Sequence, residues 1–508
     1  MQYSRRIVLA ARFVAGLLVF PAIISAQSRP QFPPPSAEMA RPSINQSPLP
    51  GGAQSNVNTL STSVQVAGPY ATSATAPDAQ GGLLRLTIED AIQRGLRYNL
   101  GAIYAHVQLK SAQSSLVAMR SALLPTVTGG LSENVDKVNL AAEGFDASSL
   151  PSIGSYFPSV IGPFHFYSAQ GQVSYSPFDM VAVRNLLSAR QQSKSAQLSE
   201  HDAREQIVLA VSATYLQALV QQARVESVES QVKYAQAIYD QAAQQKEAGA
   251  RSSIEVNRSR VQLQTRQQQL FAQQGELKKQ KMRLARLIGL SADRDLQMVE
   301  VLRTSDGTLP ELEALYERAQ ERPDVQAAKA DLKAAEESRG AAKAEWLPSV
   351  HISGNFGMQG ATLNSGRLVY QGTGTVNIPL FNGGQTHSDV QQADAVVEQR
   401  RASLSAKLED VRFEVRSVWV DEETAGKQLV VATDNRLLAQ QTLQQSIDRF
   451  KVGAADSVEV AQSEDLVASA EQDYIGSVFA LRLAEMGLAK AVGAAEQDIP
   501  KIVKGVHP

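Results

Sequence analysis

Two periodicities alternate along this chain. From Trp346 to Gly384 the period is two. Val350, Ile352, Phe356 and Met358 alternate with His351, Ser353, Asn355 and Gln359; after a polar turn from Gly360 to Gly366, Tyr370, Val376 and Ile378 alternate with Gln371, Thr373, Thr375 and Asn377. That pattern predicts two strands, each apolar on one face and polar on the other. Around this hairpin the spacing is three and four: Val225, Val228, Val232, Ala235, Tyr239 and Ala242 in one segment, Leu404, Leu408, Val411, Val415 and Val418 in another. This is coiled-coil spacing in proline-free runs. About 70 residues at ~1.5 Å each give a rod of roughly 105 Å, far longer than a globular domain needs.

The plan occurs twice. A helix from Ile88 to Leu123, with Thr87 as N-cap and Asp90 three residues on, runs into Leu124-Pro125. A strand follows (Val127, Gly129, Leu131), then a long loop, then a partner strand in which Tyr167, Ala169, Val173 and Tyr175 alternate with polar residues up to Pro177-Phe178-Asp179. The rod from Asp179 turns at Gly249, Ala250 and Arg251, with Ser252 or Ser253 as a new N-cap, and returns to about Leu290. The second half has a helix over about Pro310 to Glu345 interrupted at Pro323, then Leu347-Pro348, the hairpin, Pro379 to Gly384, a rod, and a turn at Gly453 and Ala454. Phe178 matches Phe381 at an offset of 203 and Gly249 matches Gly453 at 204, whereas the distance from Leu-Pro to Phe shrinks from 54 to 34. Rod length is kept and the first hairpin's loop varies, as expected for rods spanning a fixed distance with that loop pointing outward. Strands are expected at about 125–135, 166–177, 348–359 and 368–379, in repeats 85–295 and 296–492 followed by a tail, 493–508.

Residues 1–26 place Arg5 and Arg6 before an apolar run that ends in Ser25-Ala26, the layout of a secretory signal; a retained anchor is the alternative. Residues 27–84, rich in Pro, Ser, Gln, Thr and Gly, read as a disordered arm. A formal charge of −2 gives no basic surface for nucleic acid, and the absence of cysteine excludes disulfides and thiolate metal sites. Six dispersed histidines, with no phosphate loop, dinucleotide fingerprint or G-x-S-x-G, give no support to an enzyme, a metal site or a cofactor. After residue 26 no stretch is apolar over a helix's span of a membrane, so membrane entry would have to be by strands.

Four strands cannot close a membrane barrel, so several chains would have to pool them; a small soluble β-domain capping a coiled coil is the other reading. The duplicated order of helix, Leu-Pro, hairpin, Pro-Phe and long helix, with two Gly-containing turns followed by Ile254-Glu255-Val256 and Val458-Glu459-Val460, resembles the TolC family of outer-membrane efflux channels over about residues 86–490. The resemblance implies a mainly α fold with a membrane β-barrel: a homotrimer forming a 12-stranded barrel in outer-membrane lipid on a periplasmic α-helical barrel, with an equatorial belt of irregular segments at 291–310 and the tail. It implies a passive exit duct of a tripartite efflux or type I secretion system, partnered by a periplasmic adaptor and an inner-membrane pump. The tips that dock the adaptor would then be Gly249, Ala250, Gly453, Ala454 and Val458. A periplasmic gate would involve Glu255, Glu459, Gln462 in place of a second acidic residue, Phe450 in place of a tyrosine, and Arg251 and Asp456 as tip ion pairs. The plain alternative for both glutamates is a first-turn carboxylate complementing a helix dipole. The alternative for the whole chain is a soluble periplasmic coiled-coil adaptor.

Overall fold

The computed structural model describes residues 68–77, 81–140, 142, 160–249, 252–302, 309–362 and 364–504. The expected signal segment and residues 27–67 lie outside them. The first repeat runs β1 (Leu84–Leu86), α1 (Ile88–Tyr98), α2 (Leu100–Ser121), β2 (Thr126–Asn139), β3 (Val160–Phe178), α3 (Met180–Glu247) and α4 (Ser253–Leu287). The second runs β4 (Leu296–Met298), α5 (Leu312–Ala319), α6 (Pro323–Ala344), β5 (Ser349–Gly360), β6 (Arg367–Asn377), α7 (Gln385–Lys451) and α8 (Ser457–Ala491), with α9 (Ala495–Lys504) closing the chain. The rods α3 and α7 have 68 and 67 residues, and the returning helices α4 and α8 have 35 each.

The long strands form one antiparallel sheet in the order β2-β3-β5-β6. Its register puts all four alternations in phase. Leu131, Ala169, Met358 and Leu368 form one row, Gly129, Gly171, Phe356 and Tyr370 the next but one, and Thr128, Gln172, Asn355 and Gln371 lie on the opposite face. A slip of one residue in any strand would turn its apolar set to the polar side, so keeping the apolar residues on one face fixes the whole register. The first hairpin is the longer, with strands of 14 and 19 residues against 12 and 11, and its extra length lies at the loop end.

Helices repeat the strand order. α3 packs between α2 and α6, and α7 against α6; in the other half of the rods α4 lies on α3, and α8 between α3 and α7. The short helices therefore form two broken columns, α2 with α4 and α6 with α8. The breaks are built alike. Gly289 and Gly493, 204 residues apart, end α4 and α8 in left-handed conformation (φ +79° and +76°), with Leu290 N–H donating to Ala285 O and Ala494 N–H to Ala489 O, both at 2.8 Å. A Cβ on Gly289 would sit 2.9 Å from the Tyr98 side chain and one on Gly493 3.3 Å from Arg322, so each glycine also lets its helix end abut the start of the next in the column.

Four expectations need correction at this level of the molecule. The helix expected over Ile88 to Leu123 is two helices, because buried Asn99 turns extended, accepts from Gly101 N–H at 2.9 Å and donates to Tyr70 O at 2.8 Å. The end of the arm expected to be disordered is held there: Tyr70 is buried, and Ala74 and Ala76 donate to Tyr98 O and Gly289 O. The belt expected to be irregular holds β4, paired in parallel with β1, and Glu300, which accepts from Ile88 N–H at 3.0 Å and bonds the buried Tyr215 hydroxyl; residues 303–308 lie outside the described set. The tail is helical: α9 buries Ile499, Ile502 and Val503, and its first N–H donates to Glu205 at 2.6 Å.

The second break carries a buried ion network. Arg322, at the N-cap of α6, donates to Asp324 (2.9 Å), Glu414 (2.8 Å) and Ala491 O (3.0 Å), while Lys407 pairs with Asp324 and Lys490 with Glu414. Burial alone would raise the Asp324 carboxyl; Arg322 and Lys407 outweigh it and hold it well below the usual carboxylate range. Removing one partner strands the rest, at a cost of about 3–5 kcal/mol for a buried pair. Arg322→Ala is therefore expected to lower thermal and denaturant stability by about that amount, and Arg322→Lys to recover less than half, since a lysine cannot make the forked bond to Asp324 and also reach Ala491. Helical circular dichroism on heating and in guanidinium checks both.

Candidate functional site at the helical tips

Each rod ends in a glycine-capped turn. Gly249 and Gly453 have φ of +75° and +76°; Gly249 N–H donates to Lys246 O and Ala454 N–H to Arg449 O. At neither glycine would a Cβ meet an atom within 4 Å, so backbone conformation and not crowding calls for glycine. Ala250 and Arg251 lie outside the described residues. Ser252 is the N-cap of α4, without a side-chain cap bond, and Asp456 is the N-cap of α8, its carboxylate accepting from Glu459 N–H at 3.0 Å. Asp456 is thus a helix cap, and Arg251, expected with it as a tip ion pair, lies outside the described residues.

The two glutamates are held differently. Glu255 pairs with Arg258 one turn along α4 (3.2 Å), whereas Glu459 pairs across its hairpin with Arg449 of α7 (3.3 Å). The repeat explains the difference, since Arg258 corresponds at offset 204 to Gln462 and Arg449 to Gln245. Phe450 is buried in the turn and Gln462 is exposed. Ile254, Val261, Val458, Ala461, Gln462 and Asp465 line a groove of about 580 Å³ between α4 and α8, floored by Ala235 and Ile238 of α3. The structure therefore gathers Val458 and Gln462 of the predicted set with residues that pattern reasoning passed over. Arg266, buried on α4, binds Asp465 of α8 and so ties one repeat to the other; no local spacing in the sequence announces a pair 199 residues apart.

His201, Glu205 and Glu496 form the one cluster of potential metal ligands found among the described residues. Its groups are already engaged. Glu205 accepts the N-terminal N–H of α9, and Glu496 pairs with Arg204 at 2.7 Å. A helix N-terminus and a guanidinium both oppose a cation there.

The sheet presents a different kind of surface. Val127, Leu131, Phe356, Met358, Leu368 and Tyr370 are exposed on its apolar face, while Ser132, Gln170, Gln172, Asn355, Gln371 and Thr373 line a hollow of about 390 Å³ on the other. Trp346, Leu380 and Phe381 are exposed near the strand ends from which the helices leave. No helix among the described residues is long and apolar enough to cross a membrane. An apolar sheet face bare to water on one side and polar on the other matches lipid outside and water within.

Two buried acids face the helical seams. Burial raises Glu464 of α8 to about 7, with Arg266 opposing and Asp465 adding to the shift, and burial with Glu485 nearby raises Glu422 of α7 to about 7. One oxygen of each lacks a hydrogen-bond partner. A carboxyl whose folded value lies above its ordinary 4.5 keeps its proton in the folded state only, so its contribution is fully present below about 4.5 and is lost as pH rises through about 7. Thermal stability is expected to fall between pH 5 and 7.5, and Glu464→Gln with Glu422→Gln to flatten that fall and raise the melting temperature at pH 8. Melting curves across pH check this.

Comparison with known proteins gives one answer. The family model described as outer membrane efflux protein matches residues 103–290 and 314–494. The toluene efflux pump outer membrane protein TtgC of Pseudomonas putida is 23% identical over 421 residues, covering 80% of this chain and 82% of TtgC; the pyoverdine export outer membrane protein OpmQ of the same species is 24% identical over 430 residues, covering 80% and 85%. The crystal structure of the Campylobacter jejuni CmeC outer membrane channel superposes with a TM-score of 0.68 at 15% identity, over 92% of this chain and 98% of CmeC. The chain belongs to the outer membrane efflux protein family.

Proposed function

We propose that three copies of this outer-membrane efflux channel pool their sheets into a 12-stranded barrel and work as the passive exit duct of a tripartite export system. The observation that carries the reading is the in-phase sheet: four strands, apolar on one exposed face, polar on the other, with β2 and β6 at its edges and unpaired there among the described residues. In lipid an open edge is prohibitive, and twelve strands remove it. A soluble adaptor would have no use for such a face, and neither the fold nor the family supports that alternative.

On this reading the tips Gly249 to Glu255 and Gly453 to Glu459 face the periplasm, where an adaptor and an inner-membrane pump engage them. Glu459 and Glu255 line the narrow end, and their arginine partners set how much of each carboxylate meets a passing ion. The relatives' names span toluene and pyoverdine, so cargo follows from the pump more than from the duct.

In planar bilayers the purified protein is expected to form cation-preferring channels, and in detergent to have the mass of three chains; a monomer without conductance would sink the reading. Glu459→Ala is expected to lower cation selectivity and block by divalent ions. Arg449→Ala, which frees the same carboxylate, is expected to raise both. Reversal potentials in a salt gradient distinguish the two directions.

A further inference from the structure

The faces of the sheet exchange character at one level. From Thr126 up to the row of Ser132, Ser168, Gln359 and Arg367, Val369 is the one large apolar side chain that the paired strands place on the polar face. Beyond that row β2 and β3 run on as a two-stranded ribbon: β3 meets β5 no nearer the loop than Tyr167 opposite Gly360, and β6 begins at Arg367. On the ribbon the polar face becomes apolar, with Phe166 and Phe164 on β3 and, past a bulge, Ile161 opposite Val138. The two rings stack with centroids 6.5 Å apart, and Phe164 and Ile161 are 40% and 39% exposed. The face that is apolar through Leu131 and Ala169 changes the other way. It carries Glu133, Tyr167 and His165, the last 3.1 Å from Glu133, with Val135 among them.

We infer that the three ribbons of the trimer lean over the mouth of the barrel and meet across its axis through Phe164, Phe166 and Ile161, forming an apolar constriction at the outer exit. This rests on the barrel reading above and deepens it, because the face which that reading turns to the water inside is the one on which these side chains stand. Each ribbon is then covered by the same three residues of the other two copies.

A two-stranded ribbon is marginal in water unless a hydrophobic face of it is covered. Lipid cannot cover this face, which continues the polar side of the sheet; symmetry copies can, since each offers the same residues at the same level. The dimensions allow it. From Glu133 to Asn139, at ~3.3 Å per residue, the ribbon is about 23 Å long, while twelve strands ~4.8 Å apart and tilted by about 40° make a ring roughly 24 Å across. A bend is built in as well. The bulge lies between Asp136 and Val138, where Gly162 has φ +105° and a Cβ on it would sit 2.5 Å from Asp136 O; bulges bend the strand that carries them and recur at barrel rims. Asn134 and Asp136 hold the β2 half of the same face, so the contact runs along β3 and leaves the carboxylates at its flank. An aromatic constriction of this kind closes a pore by excluding water.

The chain has no cysteine, so a single engineered one reports without background. Phe164→Cys, oxidised with copper phenanthroline in detergent, is expected to link two chains of each trimer on non-reducing gels, and Val135→Cys, on the opposite face of the same ribbon, to link none. Gln371→Cys, on the polar face below the ribbons, is expected to react slowly with a bulky, impermeant maleimide added to intact cells, and about fivefold or more faster when Phe164→Ala and Phe166→Ala are added. Trimers by native mass that give no dimer from Phe164→Cys, or as much from Val135→Cys, would overturn the proposal while leaving the trimer standing. So would equal labelling rates with and without the two phenylalanines. A monomeric mass would overturn both the trimer and the constriction.

Discussion

The sheet edges govern the rest of the molecule. β2 and β6 each leave a row of N–H and C=O groups without a strand partner among the described residues, on a sheet whose outward face is apolar. In water such a face drives association; in lipid the face is satisfied but the edges are not, and each unpaired backbone group costs several kcal/mol. Only a closed ring satisfies both at once. The same order then propagates into the helical part. Strands β2-β3-β5-β6 continue as columns α2, α3, α6 and α7 in that sequence, because each strand hands directly to, or receives from, one helix. Asp179 makes one such handover abrupt, its carboxylate accepting from Ala182 N–H at 3.0 Å one residue beyond β3. A ring of strands therefore continues as a ring of helices without rearranging neighbours.

A column made of two short helices exposes four backbone groups at each internal end, and the equatorial breaks are where these are met. Asn99 and Arg322 occupy the same place in the two repeats, 223 residues apart, as are the two Leu-Pro pairs. Both are buried. One solves the problem with a neutral amide and the Tyr70 carbonyl of the arm, the other with a five-member ion network. The ionic solution gains stability only while every member stays paired, which ties the start of α6, the middle of α7 and the end of α8 to one geometry.

Much of this was legible from pattern. Alternation gave the strands, proline-free heptads gave the rods to within a residue or two, and the constant offset gave the duplication. The break at Asn99 was not, because nothing local forbids a helix there; it is tertiary contact with Tyr70 that rewards the amide for leaving it. The tail helix was hidden for a similar reason, since its first N–H is met by the carboxylate of Glu205, 290 residues away. At the tips, Gly249, Gly453, Glu255 and Glu459 could be picked out by their turns. The arginine partners of the two glutamates needed the offset applied one residue at a time, and the capping role of Asp456 shows only once Glu459 N–H is seen to point at it.

Pseudo-symmetry also shows where the two hairpins are held to each other. Glu255 with Arg258 lies within one helix and Glu459 with Arg449 within one hairpin, so a relative motion of the hairpins leaves these pairs unchanged. Arg266 with Asp465 runs from α4 to α8. Separation at that level must break it, and since Arg266 is buried, its guanidinium would keep only a neutral bond to Gln269 among the described contacts of the side chain. Glu464, adjacent to Asp465 and lining the same groove, feels the Arg266 charge as well, although burial raises its carboxyl to about 7. One buried arginine thus spans the two hairpins at that level.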